Sequence, residues 1–146
     1  MNYSMAAILT GIITGVISFI IGSGLWFAPW AVKINNKAKD LPIWKNLPVK
    51  TFLPWVFIWG LVFSIIMAIT YMFVKDLLPL NLIVKGLIYG IVIWVFKNLS
   101  EAVNNLLLID KPINYTFLEL ANSFIGLSVS GILIAVLFGA FTKSLQ

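Results

Sequence analysis

The sequence predicts an all-α fold, a compact bundle of four transmembrane helices forming one domain over residues 1–146. Three observations carry this expectation. Hydrophobic residues make up 61% of the chain and charged residues 10%, whereas a soluble domain is roughly half apolar and about a quarter charged. The mean hydropathy is +1.03. The apolar residues also gather into four runs, each long enough to cross a hydrocarbon core of ~30 Å at 1.5 Å per residue. A water-soluble domain of this size would bury only about 70% of its unfolded surface and leave those runs facing water. The bilayer is the expected solvent.

Segment one covers about 5–32. It follows Met1-Asn2-Tyr3-Ser4 with no basic stretch ahead of it and no small-residue cleavage site before it ends, which reads as a retained first helix. Its exit carries Trp26, Phe27 and Trp30, as an aromatic belt at a membrane interface would. A basic loop, 33–51, holds Lys33, Lys37, Lys39, Lys45 and Lys50 with the helix-interrupting Pro42 and Pro48, and an interfacial turn is expected around Trp44. Segment two covers about 52–74, with Pro54 tolerated in its first turn and Trp55 and Trp59 near the same interface. Segment three, about 80–109, would measure about 45 Å as one helix, too long for an upright span, so it must tilt, kink or protrude. Asp110-Lys111-Pro112 breaks the chain, Asn114 is the expected N-cap, and segment four covers about 115–141 ahead of a short polar tail.

All ten basic residues are Lys, so a guanidinium fork is unavailable and any anion site must use lysine or backbone. The chain contains no Cys and no His. That removes disulfides, thiolate chemistry, the usual Zn, Cu and haem ligands, and the side chain best suited to proton transfer near neutral pH. No metal site and no cofactor are expected. Of the five carboxylates, Asp40, Asp76 and Asp110 belong to loops, and neither a nucleophile nor a phosphate loop accompanies Glu101 and Glu119. An enzyme is therefore not expected.

The net charge of +5 is concentrated between the apolar runs, which reads as an orientation signal and not as a nucleic-acid patch. Four crossings bring both termini to one side. The loop 33–51 and Lys111 stand opposite Lys75, Lys143 and the interfacial Lys85, so the positive-inside rule predicts a multi-pass cell-membrane protein with that loop cytoplasmic and both termini non-cytoplasmic. Membrane lipids are the expected surroundings.

Small residues recur at four-residue spacing on every segment: Gly11 and Gly15; Gly60, Ser64 and Ala68; Gly86 and Gly90; and Ser123 followed by Gly131, Ala135 and Gly139. In lipid such faces let backbones approach closely and supply much of the association energy. They predict a compact bundle, with homodimerisation through Gly11 and Gly15 or Gly131 and Gly139 as the alternative use.

The polar residues of segments three and four are the candidate site. Lys97, Glu101, Asn104 and Asn105 share a helix face, as do Glu119, Asn122 and Gly126. If a short turn near Lys111 folds the two segments into an antiparallel hairpin, Asn104 and Asn105 approach Glu119, Glu101 approaches Asn122, and Lys97 lies opposite Gly126. Charges at bilayer depth cost a few kcal/mol each and normally face the bundle interior. Two placements remain open: a polar cluster within the bilayer, or a protruding segment three with Lys97 and Glu101 as an exposed i,i+4 pair.

The run Gly22-x-Gly24-Leu25-Trp26-Phe27-Ala28-Pro29-Trp30, the Gly86-Leu87-Ile88-Tyr89-Gly90 stretch and the small-residue segment 120–139 together resemble an uncharacterised family of small four-helix integral membrane proteins, a domain of unknown function. The resemblance spans the whole chain loosely and implies a fold and a location without an activity. Members often carry a His near the start of the last helix, where this chain has none. A second stretch, Trp44-Lys45-Asn46-Leu47-Pro48 followed by Pro54-Trp55-Val56-Phe57 and Trp59, is similar to the tryptophan-rich sensory and translocator proteins, which have five helices.

Two functions follow as expectations. One is small-molecule or ion transport or binding through Lys97, Glu101, Asn104, Asn105, Glu119 and Asn122, which in so short a chain calls for a homo-oligomer. The other is a structural or accessory subunit beside a partner membrane protein.

Overall fold

The computed structural model describes residues 2–38, 48–78, 81–109 and 111–143. The first helix, α1 (Tyr3–Trp26), begins where the Asn2 side-chain oxygen accepts a hydrogen bond from the Met5 N–H at 2.8 Å, satisfying a donor that a helix start leaves open. It stops at Phe27, whose N–H closes back on the Ser23 carbonyl at 2.9 Å. Pro29 then opens a second helix, α2 (Pro29–Ala38), in the first turn, where a missing N–H costs no helical bond. Segment one, expected over 5–32, is thus two helices, and the first part of the expected loop 33–51 is helical.

The far end of that loop is helical as well. α3 (Val49–Val74) starts behind Pro48 and carries Pro54 in its interior, in the second turn and not the first. The carbonyl that Pro54 leaves without a helical donor is that of Lys50, close to the helix end. A single 3₁₀ turn, Lys75–Leu77, follows, with Lys75 paired to the adjacent Asp76 at 2.8 Å.

The third segment changes pitch part-way along. α4 (Leu82–Trp94) is capped by Asn81, which accepts from the Val84 N–H at 3.0 Å. It widens into a π-helical turn, Val95–Leu99, and continues as α5 (Ser100–Leu108). Such turns insert residues into a helix and often sit at functional sites. α6 (Ile113–Lys143) begins with the Tyr115 and Thr116 N–H groups on the Pro112 carbonyl, at 2.9 and 3.2 Å, so Asn114 lies in the first turn and does not cap it. The expected turn around Trp44, the expected segment start at residue 80 and the end of the polar tail lie outside the described residues.

Four of these paths are long and apolar enough to cross a membrane: Tyr3–Trp26, Val49–Leu77, Leu82–Leu108 and Ile113–Lys143. They pack as an all-α bundle. α1 lies against α3 and α6, and α4 runs along α6, but α3 and α4 scarcely touch. The bundle is therefore closed on three sides and has an open seam between α3 and α4. Its outer surface is apolar where a lipid-facing surface must be: Trp55, Trp59, Phe73, Phe96, Leu107 and Phe117 are all exposed.

The small-residue faces are used inside the chain. A Cβ on Gly11 would stand 2.5 Å from the Ile65 Cα, and one on Gly86 would stand 2.5 Å from the Gly131 carbonyl oxygen. Gly90 faces the Leu127 carbonyl, Gly15 faces Leu61 and Gly139 faces the Leu82 side chain. Gly60 departs from the expectation. A Cβ there would meet nothing within 4 Å, so this glycine leaves space and does not bring helices together.

The core gathers at the end of the bundle nearest Tyr3 and Lys143, around Met67, Tyr71, Tyr89, Ile134 and Phe138. There the Tyr89 hydroxyl donates to the Met67 carbonyl at 2.7 Å and is also bonded to the Thr70 hydroxyl. The Tyr71 and Tyr89 rings meet edge to face at 5.3 Å, the geometry aromatic quadrupoles favour. These contacts tie α3 to α4 at one end of the seam. Toward the other end, where Lys33, Lys37, Lys50 and Lys111 lie, the seam widens.

Candidate functional site

A polar and an apolar cavity lie in the wide half of the bundle, beside a smaller one of about 140 Å³ at Lys33, Lys37 and Tyr115. The first, about 340 Å³, lies between α5 and α6 and is lined by Asn98, Glu101, Asn105, Glu119 and Asn122, with the Trp26 ring from the end of α1 and Ser123. It forms because α4 follows α6 closely while α5, past the π turn, touches it little. The last close contact before the helices part is made by Trp94. Its indole Nε1–H donates to the Ser123 Oγ at 3.0 Å and to the Leu120 carbonyl at 3.2 Å, and its ring meets Phe124 edge to face at 5.2 Å.

Of the residues expected at the site, the structure brings Glu101, Asn105, Glu119 and Asn122 to this cavity. Asn104 is exposed and lines neither cavity. At 3.6 residues per turn, Asn105 is about 40° to one side of Glu101 and Asn104 about 60° to the other, and only the first flank faces α6. Lys97 falls on the Asn104 flank and points into the seam. Its Nζ lies 4.2 Å from the centre of the Phe63 ring on α3, a cation–π contact. The exposed Lys97–Glu101 pair is not formed: among the described residues the ion pairs are Lys75–Asp76 and Lys111–Glu119.

Lys111 holds Glu119 at 2.5 Å, and its side chain is 6% exposed against 35% for that of Glu119. The same ammonium stands 4.7 Å from the Tyr115 ring centre, and Tyr115 meets Trp26 edge to face at 6.1 Å. This chain of contacts fixes one wall of the cavity. Asn122 is the opposite case. Both of its carboxamide atoms are buried and hydrogen-bond to no described residue, and the same holds for the Asn98 Oδ1. Most buried polar side-chain atoms are satisfied; the hydroxyls of Thr10, Thr14, Thr116 and Ser128 are also without a bond to a described residue, and Asn122 differs from them in carrying two such atoms on a residue that lines the polar cavity.

The second cavity, about 490 Å³, is an apolar groove enclosed by α1, α3 and α6, and Lys97 is the charged residue on it. Phe19, Phe52, Val56, Phe63 and Met67 supply its walls, while Gly60 and Gly126 leave it room. Trp26 and Ser123 line both cavities, so the polar and apolar spaces adjoin. Beneath them the Ser130 hydroxyl donates to the Gly126 carbonyl at 2.7 Å, which leaves Ser18 as donor in the 2.7 Å Ser18–Ser130 bond that joins α1 to α6.

Asn98, Trp26 and Ser123 are cavity residues that the sequence reading omits. Asn98 carries a readable signal, since it lies three residues before Glu101 on the same flank. Trp26 and Ser123 carry none, because an interfacial tryptophan and a packing serine look the same in sequence.

Fold and site together define an all-helical protein with four membrane-length helices and a two-part cavity, polar at one end and apolar beside it. Comparison with protein-family models, with curated proteins and with solved structures finds no match to this chain.

Proposed function

We propose that the protein is a multi-pass protein of the cell membrane that binds or conducts a small polar molecule or ion through the cavity between α5 and α6, without enzymatic chemistry. The observation that carries this reading is the unsatisfied Asn122 carboxamide on a polar cavity shared with Glu101 and Asn98. A structural subunit has no need of such a group, since an apolar side chain there would cost less. The volume falls within the ~300–1,000 Å³ usual for ligand sites. Centred on a ~30 Å hydrocarbon core, α6 would project about 8 Å at each end, so Asn122 would lie about 5 Å inside the core. Polar residues at that depth tend to mark pathways. The lysine-rich end, with Lys33, Lys37, Lys50 and Lys111, is taken as cytoplasmic.

Proteoliposomes assayed for uptake of protons and small polar solutes test the reading. A flux is expected that Asn122→Leu lowers at least tenfold and that Asn104→Leu, outside the cavity, leaves unchanged. The same flux in both variants, or none in the parent, contradicts it.

A further inference from the structure

We infer that the ligand of the polar cavity is a small organic ammonium ion, its charge met by the Glu101 carboxylate and its alkyl part lying against the Trp26 ring. This rests on the proposed use of that cavity and names the class of molecule it takes. Charge, depth and the make-up of the wall choose the occupant.

Among the described residues, the charged ones that line the cavity are Glu101 and Glu119. Lys111 holds Glu119 at 2.5 Å, whereas Glu101 belongs to neither of the ion pairs formed by described residues. The lining and its paired lysine therefore keep one negative charge, on Glu101. An anion would be repelled there, and a neutral molecule would leave the carboxylate uncompensated. A cation supplies the missing counter-charge. The chain as a whole carries +5, so the attraction for a cation is local to this cavity and runs against the general field of the protein.

Depth makes the missing partner matter. Centred on a ~30 Å hydrocarbon core, the 27-residue path Leu82–Leu108 would project about 5 Å at each end, so Glu101 would lie about 5 Å inside, level with Asn122 on α6. Charged groups within the core are costly and normally pair. Glu119 stands about 4.5 Å nearer the end of α6 than Asn122 does, where Lys111 reaches it.

The wall decides which cation. Trp26, Ala102 and Leu120 line the same space as the carboxamides of Asn105 and Asn122. An aromatic ring beside a carboxylate suits a cation that carries hydrocarbon, because the ring face attracts the charge while the apolar wall covers the alkyl part. A divalent metal ion calls for about six or more oxygen ligands, several of them carboxylate, and no group of three His, Cys, Asp or Glu among the described residues could hold one. The volume of about 340 Å³ leaves room for a short alkyl chain behind the ammonium group.

The experiment is a ligand-observed NMR titration of the detergent-purified chain with propylammonium, propionamide and propionate, which match in size and differ in charge. Propylammonium is expected to bind at least tenfold more tightly than either of the others. Glu101→Gln should bring propylammonium and propionamide to parity, Glu101→Asp should keep part of the preference, and Asn104→Leu should leave it unchanged. Trp26→Leu should weaken propylammonium binding at least fivefold, and Trp26→Phe should keep most of it. Equal binding of propylammonium and propionamide by the parent protein, no binding of propylammonium, or an unchanged preference in folded Glu101→Gln overturns the inference. An Asn122-dependent flux that persists beside any of those results leaves the polar-cavity reading standing with a ligand of another class, whereas loss of that flux as well removes both.

Discussion

Lys97 on the π-helical turn reaches across the seam to place its ammonium 4.2 Å from the centre of the Phe63 ring on α3. Helical side chains lean toward the helix N-terminus, so this one leans toward the middle of the bundle and away from its lysine-rich end. A lysine serving only the interface would snorkel the other way. Its position is costly for the fold. Lys97→Met should therefore leave stability unchanged or raise it by up to ~2 kcal/mol, a fraction of the penalty for charge at bilayer depth. Thermal unfolding in detergent measures this, and a marked loss of stability would show that the cation holds the bundle together.

The glycines separate into two groups that behave oppositely. Gly90→Ala would drive a methyl group into the Leu127 carbonyl, and Gly86→Ala would drive one into that of Gly131, so each should cost about 1–3 kcal/mol as overpacking. Gly126→Ala enters open space and should change stability by less than ~0.5 kcal/mol. Unfolding midpoints for the three variants check the contrast, which disappears if all glycines serve packing alike.

Lys111 and Glu119 form a pair that is asymmetric in exposure. Lys111→Met leaves the carboxylate on the cavity wall without this cation and should cost about 1–3 kcal/mol, less than a fully buried pair because Glu119 is partly exposed. Adding Glu119→Gln should return part of that loss. A double-mutant cycle measures the coupling, and simple additivity would mean that the pair has no energetic role.

Two hydrogen-bonding aromatic side chains fix the geometry around the cavities from different positions. Tyr89→Phe removes the bond to the Met67 carbonyl, and Trp94→Phe removes those to Ser123 and Leu120 while keeping an aromatic ring beside Phe124. Each should cost about 1 kcal/mol, the usual scale for interhelical bonds in membranes. Only Trp94→Phe, which frees the cavity-lining Leu120 and Ser123 at the closed end of the polar cavity, should alter the flux. Paired measurements of unfolding and uptake separate the two effects.

The four spans are legible in the sequence because a bilayer demands long apolar runs, and those runs are interrupted only by proline and charge. The juxtaposition of Glu101 and Asn105 with Glu119 and Asn122 is legible because antiparallel helices joined by a short turn bring equidistant residues level. The break at Phe27 and the helix from Pro29 are not, since proline both ends one helix and starts the next. The groove is hidden for a related reason. Gly60 and Gly90 are the same letter in similar apolar surroundings, yet one leaves space and the other meets a backbone. Asn104 and Asn105 are likewise adjacent in sequence, and only the direction of α5 relative to α6 decides which of them faces the cavity.

The most direct test of the central claim, a polar cavity reached from water beside an apolar groove that is not, is thiol accessibility in membranes, which the chain permits because it contains no cysteine. Single substitutions Glu101→Cys, Asn105→Cys and Asn122→Cys are compared with Asn104→Cys outside the cavity and with Gly60→Cys and Gly126→Cys in the groove, using an impermeant maleimide. The account predicts fast labelling at 104, slower labelling at 101, 105 and 122 from the lysine-rich side alone, and protection at 60 and 126. Protection at 122 equal to that at 60, or labelling at 122 as fast as at 104, contradicts it.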